Sequence, residues 1–311
     1  MLGIFGVAKH IVHCTRFYGK HYGAAKAARA LAQSSYVAAR RGLRRQDSET
    51  ADVNGYKLAL VPGDVGICAE LQEVGVHEPL LTRIIPRVLR AGMTCIDAGA
   101  NIGYYALMES RAVGSSGRVV ALEPSPVNYE RLGESIRLSG AENIDTYNMA
   151  AGNADGKVDF LLSDHCNISH VVPPGEEPRM RGTITKVPVR RLDGFLSEVG
   201  LRSIDFVRMD VEGYEVQVLE GMQETLALYH PIVQMEIHHF IIGDGGTERI
   251  LELFQKAGYE VAYYVPRALD TAIIGTPGDI TRPEMGKLMR MIHDGSIPGT
   301  FHVMMRHPVG P

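Results

Sequence analysis

The stretch Cys95-Ile-Asp-Ala-Gly-Ala-Asn-Ile-Gly-Tyr-Tyr105 constrains this chain more than any other. Ala91-Gly92 turns the backbone into a short apolar strand from Met93 to Ile96, Asp97 falls at its carboxyl end, and a helix begins near Ile102. Gly99 and Gly103 bracket the turn between strand and helix. Glycine there lets the backbone approach a ligand that a side chain would hold off. The free N–H groups of a helix start can hold a carboxylate or another anion. Farther on, Arg118-Val-Val-Ala-Leu-Glu123 is a second apolar strand ending in an acid. From that position a carboxylate can accept hydrogen bonds from both hydroxyls of a ribose. Strand, glycine turn, helix, strand and acid make a nucleoside-binding half-site.

The turn also says which nucleoside. A dinucleotide fingerprint, G-x-G-x-x-G, sets a second glycine under the pyrophosphate, whereas this turn reads Gly99-Ala-Asn-Ile-Gly103 and is preceded by Asp97. An acid at the strand mouth repels a pyrophosphate and suits the ammonium of an amino-acid moiety. S-adenosylmethionine has an ammonium, a carboxylate and a ribose but no phosphate, so the charge pattern favours it over NAD. A nicotinamide-dependent oxidoreductase is the competing enzyme reading, and a non-catalytic, membrane-associated binding protein is the competing reading outside enzymes.

The rest of the chain reads as support for this half-site. A helix from Leu80 to Leu89 leads into the first core strand, and Pro124-Ser-Pro126 opens a helix that ends near Gly140, with Pro in the first turn and Gly past the end. Strands follow at Ile144 to Ala150, Ile204 to Asp210, Pro231 to His238, Glu260 to Val265 and Phe301 to Met305, separated by helices at Arg191 to Val199, Glu212 to Leu219 and Thr247 to Lys256. Alternating strands and helices predict an α/β fold, a parallel sheet wound on both faces. Gly156 to Leu162 and Thr185 to Val189 alternate apolar and polar residues as added sheet strands, with a substrate-facing flap between them at about 163–185. Residues 47–76 read as a leading hairpin, with β-like pieces at Tyr56 to Val61 and Gly66 to Ala69.

Charge divides the chain. Residues 1–46 hold nine basic residues (Lys9, Arg16, Lys20, Lys26, Arg29, Arg40, Arg41, Arg44, Arg45) and no acid, so the body is more acidic than the net charge of −4 for the whole chain. That balance argues against a nucleic-acid-binding body. The leader has helical apolar spacing. It suits an accessory helix pair packed on the domain, a peripheral membrane contact through its basic residues, or a transit peptide. Cys14, Cys68, Cys95 and Cys166 show no paired spacing, which suits a reducing, cytoplasmic setting without zinc or disulfides. No apolar run approaches the about 20 residues needed to span a bilayer.

Four motifs taken together resemble the FkbM-type family of S-adenosylmethionine-dependent methyltransferases: Asp97-Ala-Gly-Ala-Asn-Ile-Gly103, Glu123-Pro-Ser125, Asp210-Val-Glu-Gly-Tyr-Glu215 and Glu236-Ile-His238. The resemblance covers roughly residues 77–265. It implies a Rossmann-like class I methyltransferase, with a seven-stranded, mostly parallel sheet, helices on both faces and one antiparallel strand that Phe301 to Met305 can supply. Residues 51–311 then form the domain, 1–50 a basic helical extension, and 266–311 a C-terminal insert with the last strand. By position, Gly99, Asn101 and Gly103 line the methionine end with Asp97 near the ammonium. Glu123 binds the ribose, Ser125 lies beside the adenosine, and Asp210 sits between cofactor and acceptor. The family also implies O-methylation of a hydroxyl on a sugar, polyketide-like or lipid-linked molecule.

Methyl transfer to a hydroxyl needs a base for its proton, and strand ends four and five offer Asp210, Glu236, His238 and His239. His238 or Asp210 is the expected base with Glu236 orienting; His238 also suits a core histidine satisfied by hydrogen bonds. His238 and His239, as strand neighbours, are expected on opposite faces. Glu212 and Glu215 also suit acids favoured at a helix start. A divalent ion on Asp210, Glu236 and a histidine is a weaker alternative, because their spacing is not compact, and no metal is expected. His77 and Glu78 read as a helix cap or as a closure over the cofactor.

Overall fold

Where the strand order of a sheet reverses, the loops above it part and leave a crevice at the strands' carboxyl ends. The computed structural model of this protein has one such point at the first core strand. It describes residues 4–43, 49–163, 168–173, 175, 177–178 and 180–311, with side chains from residue 12 to residue 40 in the first two helices. The expected roles of Lys9, Arg41, Arg44, Arg45 and Cys166, and of flap residues 164–167, 174, 176 and 179, lie outside that description.

Helices α1 (Ile4–Tyr22) and α2 (Ala24–Leu43) form a hairpin that turns at Gly23. The hairpin β1 (Thr50–Val53) and β2 (Tyr56–Ala59) follows, then α3 (Ile67–Val74) and α4 (Pro79–Val88). The expected β-like piece at Gly66 to Ala69 is helical instead. Asp64 Oδ2 accepts from Cys68 N at 3.0 Å, and Ile67, Cys68 and Leu71 bury one helical face. The core then runs β3 (Thr94–Ala98), α5 (Tyr104–Val113), β4 (Arg118–Leu122), α6 (Pro126–Ser139) and β5 (Ile144–Tyr147).

Four strands leave the main sheet: β6 (Ala150–Gly152), β7 (Gly156–Ser163), β8 (His170–Val172) and β9 (Gly182–Arg191). They form a separate sheet in the order β6-β9-β7-β8, so the strand expected over Ile144 to Ala150 divides between two sheets. The main sheet resumes through α7 (Leu192–Glu198), β10 (Phe206–Met209), α8 (Glu215–Glu220), α9 (Gln223–Tyr229), β11 (Ile232–Ile237), α10 (His239–Lys256), β12 (Glu260–Pro266), α11 (Met285–His293) and β13 (Phe301–Arg306).

The main sheet orders as β12-β13-β11-β10-β3-β4-β5, parallel except for β13, which runs antiparallel to both neighbours. It is the seven-stranded, mostly parallel Rossmann-like sheet that the sequence predicts. Successive residues of a strand point to opposite faces. Accordingly Ile96 and Ala98 join a core shared with α7 to α11, while Cys95 joins a second core with α3 to α6. Both faces are covered, as the continuous apolar strands require. The leader docks on the C-terminal insert. Tyr18 Oη donates to Ala268 O at 2.6 Å, Lys26 pairs with Asp279, and Ile273 N donates to Gln33 Oε1 at 2.9 Å. No helix among the described residues is long and apolar enough to cross a membrane.

Candidate active site

The reversal at β3 and β10 brings Asp97-Ala-Gly99 and Asp210 side by side. Gly99 has φ +86°, and a Cβ there would stand 1.9 Å from the Asp210 carbonyl oxygen. Only glycine permits that crossing. Gly99 N and Ala100 N both donate to Leu122 O, at 2.9 and 3.0 Å, which fixes the turn over the end of β4. Gly103, at φ +95°, begins α5.

The acid at the next strand end is held by this same turn. Glu123 Oε2 accepts from Asn101 N and Oε1 from Ser125 N, each at 2.8 Å. Burial pushes its carboxyl up to about 7 against those two backbone donors. Ser125 is buried and caps α6, its Oγ accepting from Asn128 N at 3.4 Å. Asn148 Nδ2 donates to the carbonyls of Glu123 and Pro124, tying the following segment to the same corner.

Asp97 takes a protein partner. It is fully buried, and Arg208 Nη1 lies 3.0 Å from its Oδ1. Arg208 also donates to Gly99 O at 3.2 Å, pairs through Nη2 with Asp210 Oδ2 at 2.9 Å, and lies over the Tyr105 ring at 4.1 Å. Burial still pushes the Asp97 carboxyl up, with Arg208 working against it. Asp97 therefore sits beneath the crevice with its charge countered by an arginine. The available signal for Arg208 was a lone cation inside an apolar strand.

The crevice opens into a cavity with about 1040 Å³ of empty space, part of it continuous with open solvent. Gly99, Asn101 and Glu123 line one end, and Ala150, Phe160 and Val171 of the second sheet stand against it. Glu78, Asp210, Glu212, Glu236, His238 and Arg267 line the other. Expected cofactor residues and expected acceptor residues thus share one space, apart from Asp97, Gly103 and Ser125, which lie behind its wall.

Charge at the second end is dense. Glu236, at the end of β11, is 6% exposed, and burial followed by the nearby Asp210 pushes its carboxyl up to about 8. Arg267 Nε lies 3.4 Å from Glu236 Oε1 and 3.0 Å from Glu78 Oε1. Glu78 adopts a left-handed φ of 44° at the start of α4, and it accepts from Tyr105 Oη at 2.5 Å. His77 bridges Glu70 at 2.6 Å and Glu78 at 3.3 Å; burial disfavours its charged ring, but the two carboxylates outweigh this and raise it to about 10.

His238 does not behave as a strand residue. β11 ends at Ile237, His238 has φ −89° and ψ 65°, and α10 starts at His239 rather than at the expected Thr247, with a kink at Gly243. The two histidines part because the chain turns, not because a strand alternates. His239 Nδ1 lies 2.8 Å from Thr247 Oγ1, and the residue does not line the cavity. His238 is buried between Glu215 Oε1, 2.7 Å from Nδ1, and Glu212 Oε2, 3.2 Å from Nε2. Burial opposes its charge, but the carboxylates win and raise it well above the usual imidazole range. Glu212 and Gly213 have φ of 52° and 98°, so the expected helix starts only at Glu215.

Sequence reading missed Arg267, Asp270 and His302. Asp270 Oδ1 and Oδ2 accept from Leu80 N and Leu81 N at the start of α4, and His302 is a buried ring on β13 facing Glu78. None of them lies near a motif in the chain.

Comparison with known proteins gives this cavity a family. The family described as "Methyltransferase FkbM domain" matches residues 97–261. The chain is similar to the 2-O-methyltransferase NoeI of Sinorhizobium fredii, 34% identical over 67% of this chain and 88% of that protein. It is also similar to Methyltransferase 1 of Beauveria bassiana, 26% identical over 55% of this chain and 74% of that protein. Against the AMB antimetabolite synthetase AmbE of Pseudomonas aeruginosa the identity is 28% over 69% of this chain, which spans only 12% of that protein's length. The solved Methyltransferase FkbM from Methylobacillus flagellatus superposes with a TM-score of 0.41 at 15% identity, covering 76% of this chain and 52% of that one. With the profile matching more than half of the chain and a relative matched over most of its length, this chain belongs to the FkbM family of S-adenosylmethionine-dependent methyltransferases.

Proposed function

We propose that this enzyme methylates a hydroxyl oxygen of a sugar, polyketide-like or lipid-linked small molecule, in the cytoplasm, with residues 51–311 as catalytic domain and 1–50 as extension. The observation that carries the reading is the cavity's polarity. One end presents a single carboxylate set on backbone amides, and the other presents Glu78, Asp210, Glu212 and Glu236 among the cationic side chains of His77, Arg208, His238 and Arg267. Carboxylates on that scale suit an acceptor rich in hydroxyls, each of which donates a hydrogen bond. The name of the 2-O-methyltransferase NoeI adds support for an oxygen acceptor.

The residues fit S-adenosylmethionine. Gly99 and Glu123 both line the cavity, and Glu123, buried there, is placed for ribose hydroxyls. Asn101 and Gly103 shape the turn, Ser125 holds Glu123 through its amide, and Asp97, with Asp210, acts through Arg208 on the electrostatics of that end. When bound, the cofactor supplies a methyl group made electrophilic by a sulfonium. The chain's own task is to hold the acceptor oxygen in line and to receive its proton.

Glu236 is the better proton acceptor. Among the described residues its carboxylate accepts no side-chain hydrogen bond, with Arg267 Nε at 3.4 Å, and its raised carboxyl is a stronger base than an ordinary glutamate. His238 has carboxylates on both ring nitrogens, so it serves as a charge-bearing neighbour, with Asp210 completing the set. The test is an acceptor screen with methyl-labelled cofactor over polyols, glycosides and catechols. Label on an oxygen of at least one hydroxyl acceptor is expected; transfer to amines alone overturns the reading.

A further inference from the structure

We propose that Arg267 sets acceptor specificity, donating a hydrogen bond to a second, neutral oxygen on the carbon next to the hydroxyl that is methylated. The acceptor class is then a neutral molecule with oxygens on adjacent carbons, a vicinal diol or a sugar, rather than an isolated alcohol. This deepens the hydroxyl-acceptor reading and rests on it, with Glu236 taking the proton of the reacting hydroxyl.

His77, Arg208, His238 and Arg267 are the cationic side chains that line this end of the cavity. All but one have their donors committed. His77 turns its ring nitrogens to Glu70 and Glu78, and His238 turns its own to Glu215 and Glu212. Arg208 gives Nη1 to Asp97 and to Gly99 O and Nη2 to Asp210, and its Nε is shut off from solvent. Arg267 differs. Its Nε lies beside Glu78 and Glu236 and its Nη1 donates to Asp270 O at 3.2 Å, but Nη2 makes no hydrogen bond among the described residues. Its side chain is 27% exposed, against 5% for Arg208. A guanidinium carries several N–H donors in a rigid fork, so this one has donors left for a ligand.

The neighbour of Arg267 defines that ligand. Arg267 Nε stands 3.4 Å from Glu236 Oε1. A hydroxyl that donates to Glu236 therefore has a guanidinium beside it, and the atom best placed to meet it is an oxygen on the adjacent carbon. That oxygen must accept, because a guanidinium has no acceptor of its own. Charge decides its kind. The carboxylates of Glu78, Asp210, Glu212 and Glu236 already match the cations in number, so a carboxylate or phosphate on the acceptor would bring in an unmatched charge. A neutral oxygen brings none.

Arg267 is also held in place. Its N donates to Thr300 O at 3.1 Å, the adjacent Ala268 O accepts from Tyr18 Oη at 2.6 Å, and Leu269 and Ile274 cluster with Tyr18 and Ala30 of the leader. A donor fixed this way can select an acceptor by geometry. It lies beyond residues 97–261, the part that matches the family, so transfer chemistry and acceptor choice draw on different stretches of the chain.

The test is a rate comparison with methyl-labelled S-adenosylmethionine and full-length protein on matched acceptors. The pairs are catechol against phenol, the vicinal cyclohexanediol against cyclohexanol, and methyl α-glucopyranoside against each of its monodeoxy counterparts. Wherever a pair reacts, kcat/KM should be about 10–100-fold higher for the member with the adjacent oxygen. Arg267→Lys keeps a positive charge beside Glu78 but loses the fork. It should bring that ratio close to one, chiefly by raising KM for the vicinal member, and S-adenosylhomocysteine affinity reports whether the variant is folded. Equal rates within the pairs in the wild type overturn the proposal, whatever the variant does. So does a ratio that folded Arg267→Lys leaves unaltered. Both outcomes leave hydroxyl methylation standing, whereas no label on any hydroxyl rejects that reading and this proposal with it.

Discussion

The two ends of the cavity are built by different means. At the Glu123 end the polar work is done by backbone: amides of Asn101 and Ser125 hold the carboxylate, and amides of Gly99 and Ala100 hold the turn. All of these groups lie within one strand–turn–helix–strand unit. At the Glu236 end the polar work is done by side chains drawn from α4, β10, β11, β13 and the segment after β12, each answering the charge of another. A site of backbone amides is fixed by local conformation, so it tolerates few changes of shape. A site of opposed charges is fixed by balance, so it is vulnerable to the loss of either partner.

The most severe test of the backbone end is Gly99→Ala. Its Cβ would meet the Asp210 carbonyl at 1.9 Å in a left-handed backbone, so the variant should fail to reach a native-like urea transition. A destabilisation under about 1 kcal/mol would mean the turn is plastic and the contrast is wrong. Next comes the balance itself. Arg208→Met strands the fully buried Asp97 and should cost about 3–5 kcal/mol in urea unfolding, whereas Arg208→Met with Asp97→Asn should recover most of it. Equal losses in both variants would show that Arg208 packs rather than neutralises.

Glu236→Gln separates the two ends functionally. Turnover should fall about 10²–10³-fold while affinity for S-adenosylhomocysteine stays within about twofold. In the wild type the rate should climb as pH rises through about 8, and the variant should lose that limb. Glu123→Gln should do the reverse, weakening cofactor binding by about 1.5–3 kcal/mol with little change in turnover at saturation.

The smallest effect is a slope. Glu123 and Glu236 both bind their protons more tightly when folded, at about 7 and about 8 against the ordinary 4.5. The folded state therefore holds more protons than the unfolded one across this range, and ligand-free stability should decline as pH rises from about 4.5 to about 8. Urea midpoints across that window should drift downward, and less so in either Gln variant. A rising midpoint that Glu123→Gln and Glu236→Gln leave unaltered would remove the charge-crowding account.

This difference in construction also explains what could be read in advance. Gly99, Asn101, Gly103, Glu123 and Ser125 sit close in the chain because the backbone contacts that bring them together are local, and the glycine spacing together with Asp97 pointed to S-adenosylmethionine rather than NAD. The alternation of apolar strands with capped helices revealed the parallel sheet, and the resemblance to the FkbM-type family supplied the expectation of one antiparallel strand at Phe301. What escaped was pairing. Nothing in the chain near Asp97 announces Arg208, and nothing near Glu236 announces Arg267 or His302, because those contacts arise only once the sheet is assembled. The stretch at Gly66 was misread for a related reason: Asp64 accepts from an amide of its first helical turn, and its apolar spacing was too short to tell from a strand.

The position of β13 has a consequence for the order in which the molecule is made. It is hydrogen-bonded between β11 and β12, yet it leaves the ribosome after both. Strands β3, β4 and β5 have all their sheet partners except β10 within a short span of chain, so the Glu123 corner can begin to form during synthesis. The far wall cannot, because until residues 301–306 arrive β11 and β12 present open edges to each other and to any passing strand. A nascent chain of this protein thus acquires the Glu123 corner well before the wall around Glu236, and its period of greatest exposure to misassembly falls between the two.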